Sequence, residues 1–312
     1  MSEFTAIDIA TLPEPDIFQD LTIQEDIDSI LSTIRTKAPK FTATSYGSPV
    51  YAQVETFVYR ETLMKQAITD AVKSVMLAYS SGSDLDHYGN GFNVYRLVIQ
   101  EADDTVYPPI EAVYEDDERF RMRIHLKMEA LNTAGAEGAY YYWGYTASTD
   151  IKSLYFNSPA GAVVDCFVLS GIGNGVPSQE ILDLVKDILS GKKVIPMADR
   201  VNVYPAIVTP YELIVNITLL SDSYDSDYKD SIISQVRSNL EQVVFDAHRL
   251  GFNTVTGYVQ PSSVSLSKIY AAIQHDAISH VEINLTENII GQPYEALWCE
   301  DIVINIVGGN NE

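Results

Sequence analysis

Apolar positions recur at helical spacing through the first quarter of the chain and fall largely into shorter, alternating runs beyond it. LPEPD opens the readable pattern as an extended lead-in held by its prolines. In DLTIQEDIDSILSTIRTK, Ile23, Ile27, Ile30, Leu31 and Ile34 share one stripe, acids crowd the start, and Arg35 and Lys37 close the end. Spacing and charge order together predict a short amphipathic helix. After Tyr46, Gly47 and Pro49 a longer helix is predicted, with Val54, Phe57, Val58, Met64, Ile68, Val72, Val75 and Tyr79 on one broad face. Leu63, Ala67, Met76 and Leu77 widen that face. A helix apolar on several flanks needs several neighbours, so Val54 through Tyr79 are the candidate contact residues for other polypeptides. An Asp-rich turn is expected to follow.

Beyond Gly82 the pattern mixes strands and helices. Alternation and β-branched content predict strands at Val94 to Ile99, Ser153 to Phe156 and Val163 to Leu169, with DDERFRMRIHLKMEAL helical between the first two. SQEILDLVKDIL then reads as helix, VNVYPA as extended, YELIVNITLL as a strong strand, and SDYKDSIISQVRSNLEQVVFDAHRL and VSLSKIYAAIQHD as helices. HVEINL and DIVINIV are the closing strands. The expected class is α+β, a helical N-terminal region followed by mixed α/β domains, with boundaries at 1–90, 91–207 and 208–312. The alternation on either side of Pro205 suggests two related α/β units.

Charge narrows the partners. Among 312 residues, 43 acids face 20 bases, a formal charge of -23. Such a field repels phosphate backbones and anionic head groups, so neither nucleic acid nor membrane is expected as a partner. Hydrophobic content of 46% and charged content of 20% are those of a globular protein. Two cysteines, Cys166 and Cys299, make no disulfide framework, and Cys166 within VVDCFVL reads as a small core hydrophobe. The N-terminus lacks the pattern of a secretory leader, and no run is long enough to span a bilayer. Synthesis in a cytoplasm is expected.

Candidate chemistry is thin. SGIGNGVPS sits between a strand and a helix like a dinucleotide-binding turn, but the third glycine of that motif would fall at Val176 and no Lys-Ser/Thr pair follows. A strand-to-helix connection with Ser178 as N-cap fits better. Asp84, Asp86 and His87 could offer two carboxylates and an imidazole to a metal, the basis of a rival reading as a metal-dependent hydrolase. No further ligand has motif spacing. Glu115, Asp116, Asp117 and Glu118 mimic an acid/base pair but suit a helix start. Asp222, Asp225 and Asp227 lack the glycine and the terminal glutamate of a calcium loop, and helix capping explains them better. His275 and His280 are five apart, which does not align two imidazoles on one helical face. The aromatics Tyr140 to Tyr145 suit a core or interface, with a receptor- or glycan-binding surface as the other reading. No catalytic residue, metal site or cofactor is expected.

Taken in order, LPEPD, VYRETLMKQAITDAVKSVMLAYSSGSDLDHYG, YEDDERFRMRIHLKMEALNTAGAEGAYYYWGYTAS, SPAGAVVDCFVLSGIGNGVPS, VIPMADRVNVYPAIVTPYELIVNITL, HVEINL and ALWCEDIVINI resemble the baseplate J-like family, the larger wedge subunit of contractile phage tails and related injection machines. The resemblance runs along nearly the whole chain. It implies a structural, non-enzymatic subunit of the virion tail baseplate. It further implies that two copies join a smaller wedge protein, and that six wedges close a ring around the hub and spike, in contact with sheath-proximal proteins. The early helices would then enter an inter-subunit bundle.

Overall fold

The structure is a computed structural model that describes residues 12–18, 22–40, 42, 44–131, 135–192, 194–221, 224–251 and 261–307. Contacts divide the chain into two compact units, Ile9–Tyr95 and Arg96–Glu312. In the class expected from sequence, α+β, helices lead and mixed sheets follow.

The first unit is built on a helical hairpin. α1 (Ile23–Lys37) starts with a capping box: the Glu25 amide donates to Thr22 Oγ1 at 3.3 Å, and the Thr22 amide donates to the Glu25 carboxylate at 2.8 Å. α2 (Pro49–Ser74) has Ser48 as N-cap and Pro49 in its first turn, where a missing amide costs nothing. Ile27 and Leu31 bury themselves against Tyr51, Val54 and Val58, with Ile30, Ile34 and Val50 at the margin. The helices run antiparallel. Lys65 Nζ reaches Asp26 at 3.2 Å near one end of the seam, and Arg35 Nε donates to Thr44 at 3.0 Å near the other. Lead-in residues lie along the far end of α2, where Lys73 pairs with Glu14 at 2.7 Å and the Tyr79 hydroxyl donates to the Leu12 carbonyl at 2.5 Å. Instead of the expected Asp-rich turn, residues after Ser81 form α3 (Gly82–Gly91), seated by the buried Leu85. Asp84 falls in its first turn, where the helix dipole favours an acid.

The second unit begins with a small antiparallel pair, β1 (Val98–Gln100) and β2 (Val113–Tyr114). α4 (Asp117–Lys127) and α5 (Glu137–Ala147) precede the first three-stranded sheet, ordered β3 (Ile151–Ala160), β4 (Val163–Ser170), β5 (Arg200–Pro205). β3 and β4 form a hairpin, while β5 lies parallel to β4 after a crossover through α6 (Gln179–Leu189). Tyr141 and Tyr145 of α5 press on the sheet, with the Tyr141 ring edge-on to Phe156 at 4.8 Å. A side chain at Gly144 would put its Cβ 2.4 Å from Leu154, so only glycine lets this helix approach so closely.

The chain changes sheets at Ala206, between the end of β5 and the start of β6 (Ile207–Leu219). β6 is the centre of the second sheet, antiparallel to β8 (Ile278–Ile283) and parallel to β10 (Glu295–Val307). Its inward residues Leu213, Val215, Ile217 and Leu219 alternate with period two. They meet Ile232, Val236 and Leu240 of α7 (Ser226–Ala247) and Ile269 and Ile273 of α8 (Leu266–Ile273). A short pair, β7 (Ser263–Val264) and β9 (Ile289–Ile290), flanks this layer. In β10 Cys299 faces Tyr211 and Asp301 faces Glu212, so Glu300 is an extra residue in a bulge. Each three-stranded sheet has a central strand with one parallel and one antiparallel neighbour. The central strand comes second in chain order in one and first in the other, so the connectivity is not repeated. Leu169, Ala206, Leu250 and Ala296 form a small apolar cluster where the two sheets adjoin.

Candidate assembly interface

The length mismatch in the helical hairpin decides which apolar residues stay uncovered. α1 has 15 residues and α2 has 26, which at 1.5 Å per residue is roughly 22 Å against roughly 39 Å. α1 therefore covers one face of the N-terminal portion of α2. That face holds Tyr51, Val54 and Val58, with Lys65 and Val72 half-buried further along. About 90° round the helix runs a second stripe that α1 leaves exposed: Phe57 (69% exposed), Met64 (66%) and Ile68 (43%), continued by Val75 (68%) at the C-cap.

The structure thus separates the sequence-derived candidates. Val54 and Val58 are spent on the seam with α1 and are not available to another chain. Val72 and Tyr79 are half-buried, and the Tyr79 hydroxyl is held by Leu12. Phe57, Met64, Ile68 and Val75 remain as a coherent surface. Sequence reasoning overlooked Ala71, exposed on the same stripe. The steps Met64, Ile68, Ala71, Val75 are four, three and four residues, the spacing of a helix-pairing seam, and that signal was visible in the sequence.

Other candidates resolve into structural parts. Asp84, Asp86 and His87 lie on α3, and among the described residues no three His, Cys, Asp or Glu side chains converge as a metal site. Tyr140, Tyr141, Tyr142 and Tyr145 are buried, which removes them from any binding surface. Ser178 caps α6 as expected from SGIGNGVPS, accepting from the Ile181 amide at 3.4 Å. Asp225 caps α7, accepting from the Tyr228 amide at 2.8 Å; Asp222 lies outside the described residues. His280 is on β8 and His275 precedes it, its Nδ1 accepting from the Ala277 amide.

The acidic run at 115–118 divides its labour. Asp116 caps α4, accepting from the Arg119 amide at 2.8 Å. Glu115 is buried, and its carboxylate accepts from Arg123 Nη1 and from the Leu97 amide, the latter at 3.0 Å. Arg119 Nε lies 3.5 Å from the other Glu115 oxygen. The Arg119 guanidinium also donates to the carbonyls of Ile151, Tyr145 and Ser148, tying α4 to α5 and β3. Burial lowers the Arg119 pKa from its ordinary value, an effect that Tyr145 and Glu115 oppose. The signal was again in the sequence: Arg119 and Arg123 follow Glu115 by four and eight residues. A second electrostatic knot lies where the sheets adjoin. Lys152 Nζ sits 3.6 Å from the Phe245 ring centroid and donates to the Phe245 carbonyl at 3.1 Å. Burial brings its pKa down to about 8, against the opposing pull of Asp246. Nearby His248 donates from Nδ1 to the Leu297 carbonyl at 3.0 Å; burial, then Lys152, lower its pKa.

Comparison with known proteins bears on the same elements. A family model described as the Baseplate J-like N-terminal domain matches residues 47–103, which contain α2, α3 and β1. Baseplate protein J of Escherichia phage P2 is 32% identical over 314 aligned residues, covering 98% of this chain and 99% of that protein. Among solved structures, a chain of the 6-fold symmetrised anti-feeding prophage baseplate is 12% identical, with a TM-score of 0.37 over 69% of this chain. The match spans about half of that chain, 49%, and is too distant to bear on function.

Proposed function

The chain belongs to the baseplate J family, and from that premise we propose that it is the larger wedge subunit of a contractile tail or tail-like injection machine. Its role is structural, and its place is the baseplate of the virion tail. In this reading it joins a second copy of itself and a smaller wedge subunit, and six such wedges ring the central hub and spike beneath the sheath-proximal proteins. Its work is mechanical: contacts that favour one ring geometry before contraction give way to contacts that favour another afterwards.

The observation that carries this reading is the exposed stripe of Phe57, Met64, Ile68 and Val75, which lies inside the segment matched by the family's N-terminal domain. Single exposed apolar residues are ordinary, but an aligned series along one helix marks a surface meant for another polypeptide. Desolvating such a stripe supplies the non-directional part of association, while its heptad-like steps fix the register. Met64→Asp together with Ile68→Asp tests it. The expected result is a chain with unchanged thermal midpoint that no longer joins the smaller wedge subunit in size-exclusion chromatography. Full assembly by the double variant would refute the assignment of this stripe.

A further inference from the structure

The segment between Leu97 and Glu115 stands apart from the two three-stranded sheets of its unit. It is a hairpin closed by β1 and β2 at its root and by a reciprocal bridge further out, where the Asp103 and Ile110 amides each donate to the other's carbonyl at 2.9 and 3.0 Å. No third strand joins the pair among the described residues, so each strand keeps one open edge. Two strands alone are marginal in water. This pair also leaves Val98, Ile99, Tyr107, Ile110, Val113 and Tyr114 all exposed, with Tyr107 at 99%. Val98 and Tyr114 face each other across the ladder, so the apolar surface is contiguous at the root.

That root is firmly held. The Glu115 amide donates to the Leu97 carbonyl at 3.0 Å, and the Leu97 amide donates to the Glu115 carboxylate. Arg96 donates to the Glu115 carbonyl at 2.9 Å and to Asp117 at 2.5 Å. Both ends of the hairpin are therefore anchored in the buried Glu115 and Arg123 cluster. A greasy, open-edged arm on a fixed base presents a docking element at a set position.

The charge of the arm selects the occupant. From Leu97 to Tyr114 the sequence carries Glu101, Asp103, Asp104 and Glu111 and no Lys or Arg. A second copy would bring the same acids to the contact and a formal charge of -23 behind them. Like charges at a contact suppress pairing, and complementary ones steer it. We propose that the 97–115 hairpin is a docking arm for a different baseplate subunit, one that presents an apolar strip bordered by Lys and Arg residues. This rests on the baseplate reading above and concerns a surface separate from the α2 stripe.

The test uses the full chain in assembled particles. A photo-crosslinking phenylalanine analogue replaces Tyr107, whose exposure makes the change harmless to folding, and hydrogen exchange is followed on the unmodified chain at residues 97–115, free and in the particle. The expected results are a crosslink to a different subunit whose attachment peptide is rich in Lys or Arg, and slowed exchange across the arm. Glu101→Lys, Asp104→Lys and Glu111→Lys combined should lower incorporation by about tenfold. A Tyr107 crosslink to a second copy of this chain, or unchanged exchange with no crosslink in particles that contain the chain, overturns the docking arm alone. Absence of the chain from particles overturns the baseplate reading and the arm with it.

Discussion

α2 and α7 are both long helices, of 26 and 22 residues, yet they sit in opposite situations. Beneath α7 lies a three-stranded sheet, and Ile232, Val236 and Leu240 are buried in one core with residues of β6, β10 and α8. Among the described residues, the N-terminal part of α2 packs on a shorter helix that covers Tyr51, Val54 and Val58, and a second apolar stripe stays exposed. The difference shows how one chain supports two kinds of stability. The apolar face of α7 is satisfied within the chain, whereas the α2 stripe, on the reading proposed above, is satisfied in an assembly.

Substitutions sharpen that contrast, and the largest effect belongs to the sheet-bearing unit. Glu115→Ala leaves Arg123 buried beside a missing partner, and chemical denaturation of the free chain should show a loss of about 3 to 5 kcal/mol. Leu240→Ala, at a fully buried position of α7, should cost about 2 to 5 kcal/mol in the same measurement. Ile68→Ser on α2 should change the free chain by no more than about 0.5 kcal/mol while depressing wedge assembly. A free-chain loss for Ile68→Ser as large as that for Leu240→Ala would erase the distinction between the two helices.

Acidity provides a finer probe. The folded pKa of Lys152 is about 8, below its ordinary 10.5. Below pH 8 the ammonium is charged in both states and its burial weighs against folding. As pH rises from 8 towards 10.5 the unfolded chain holds the extra proton, so stability contributed by this site increases. The thiol of Cys166, raised by burial, and Tyr145, raised to about 12 chiefly by burial, act oppositely at the alkaline end. The quantity to measure is therefore the stability of the wild type minus that of Lys152→Met across pH 7 to 10. It should rise with pH, and a flat difference would show that Lys152 is fully hydrated.

Much of this was legible because local chemistry and tertiary packing agree. The α1 stripe, the Ser178 and Asp225 caps and the alternation in YELIVNITLL led to the correct elements because each feature acts within a few residues. The sequence marks α5 only as an aromatic cluster. Its Tyr-rich sequence has modest helix propensity and folds as it does through packing on β3, a constraint from residues far along the chain. The exposed apolar flank of α2 was legible as a class and not residue by residue. Periodicity shows that α2 is apolar on two flanks, but which flank α1 takes depends on where α1 ends. Val54 and Phe57 look alike in sequence for that reason and differ in the fold.

The bulge at Glu300 has its own consequence. Leu297 and Cys299 point inward from odd positions, and Ile302, Ile304 and Ile306 from even ones, so β10 shifts its reading frame once and keeps one wall continuous through the shift. Removing Glu300 would leave an unbroken alternation with the same wall facing in, whereas removing Trp298 or Val303 would turn the downstream half inside out. Within this strand, tolerance to the loss of one letter is concentrated at the bulge, where losing Glu300 or its neighbour Asp301 restores the same alternation.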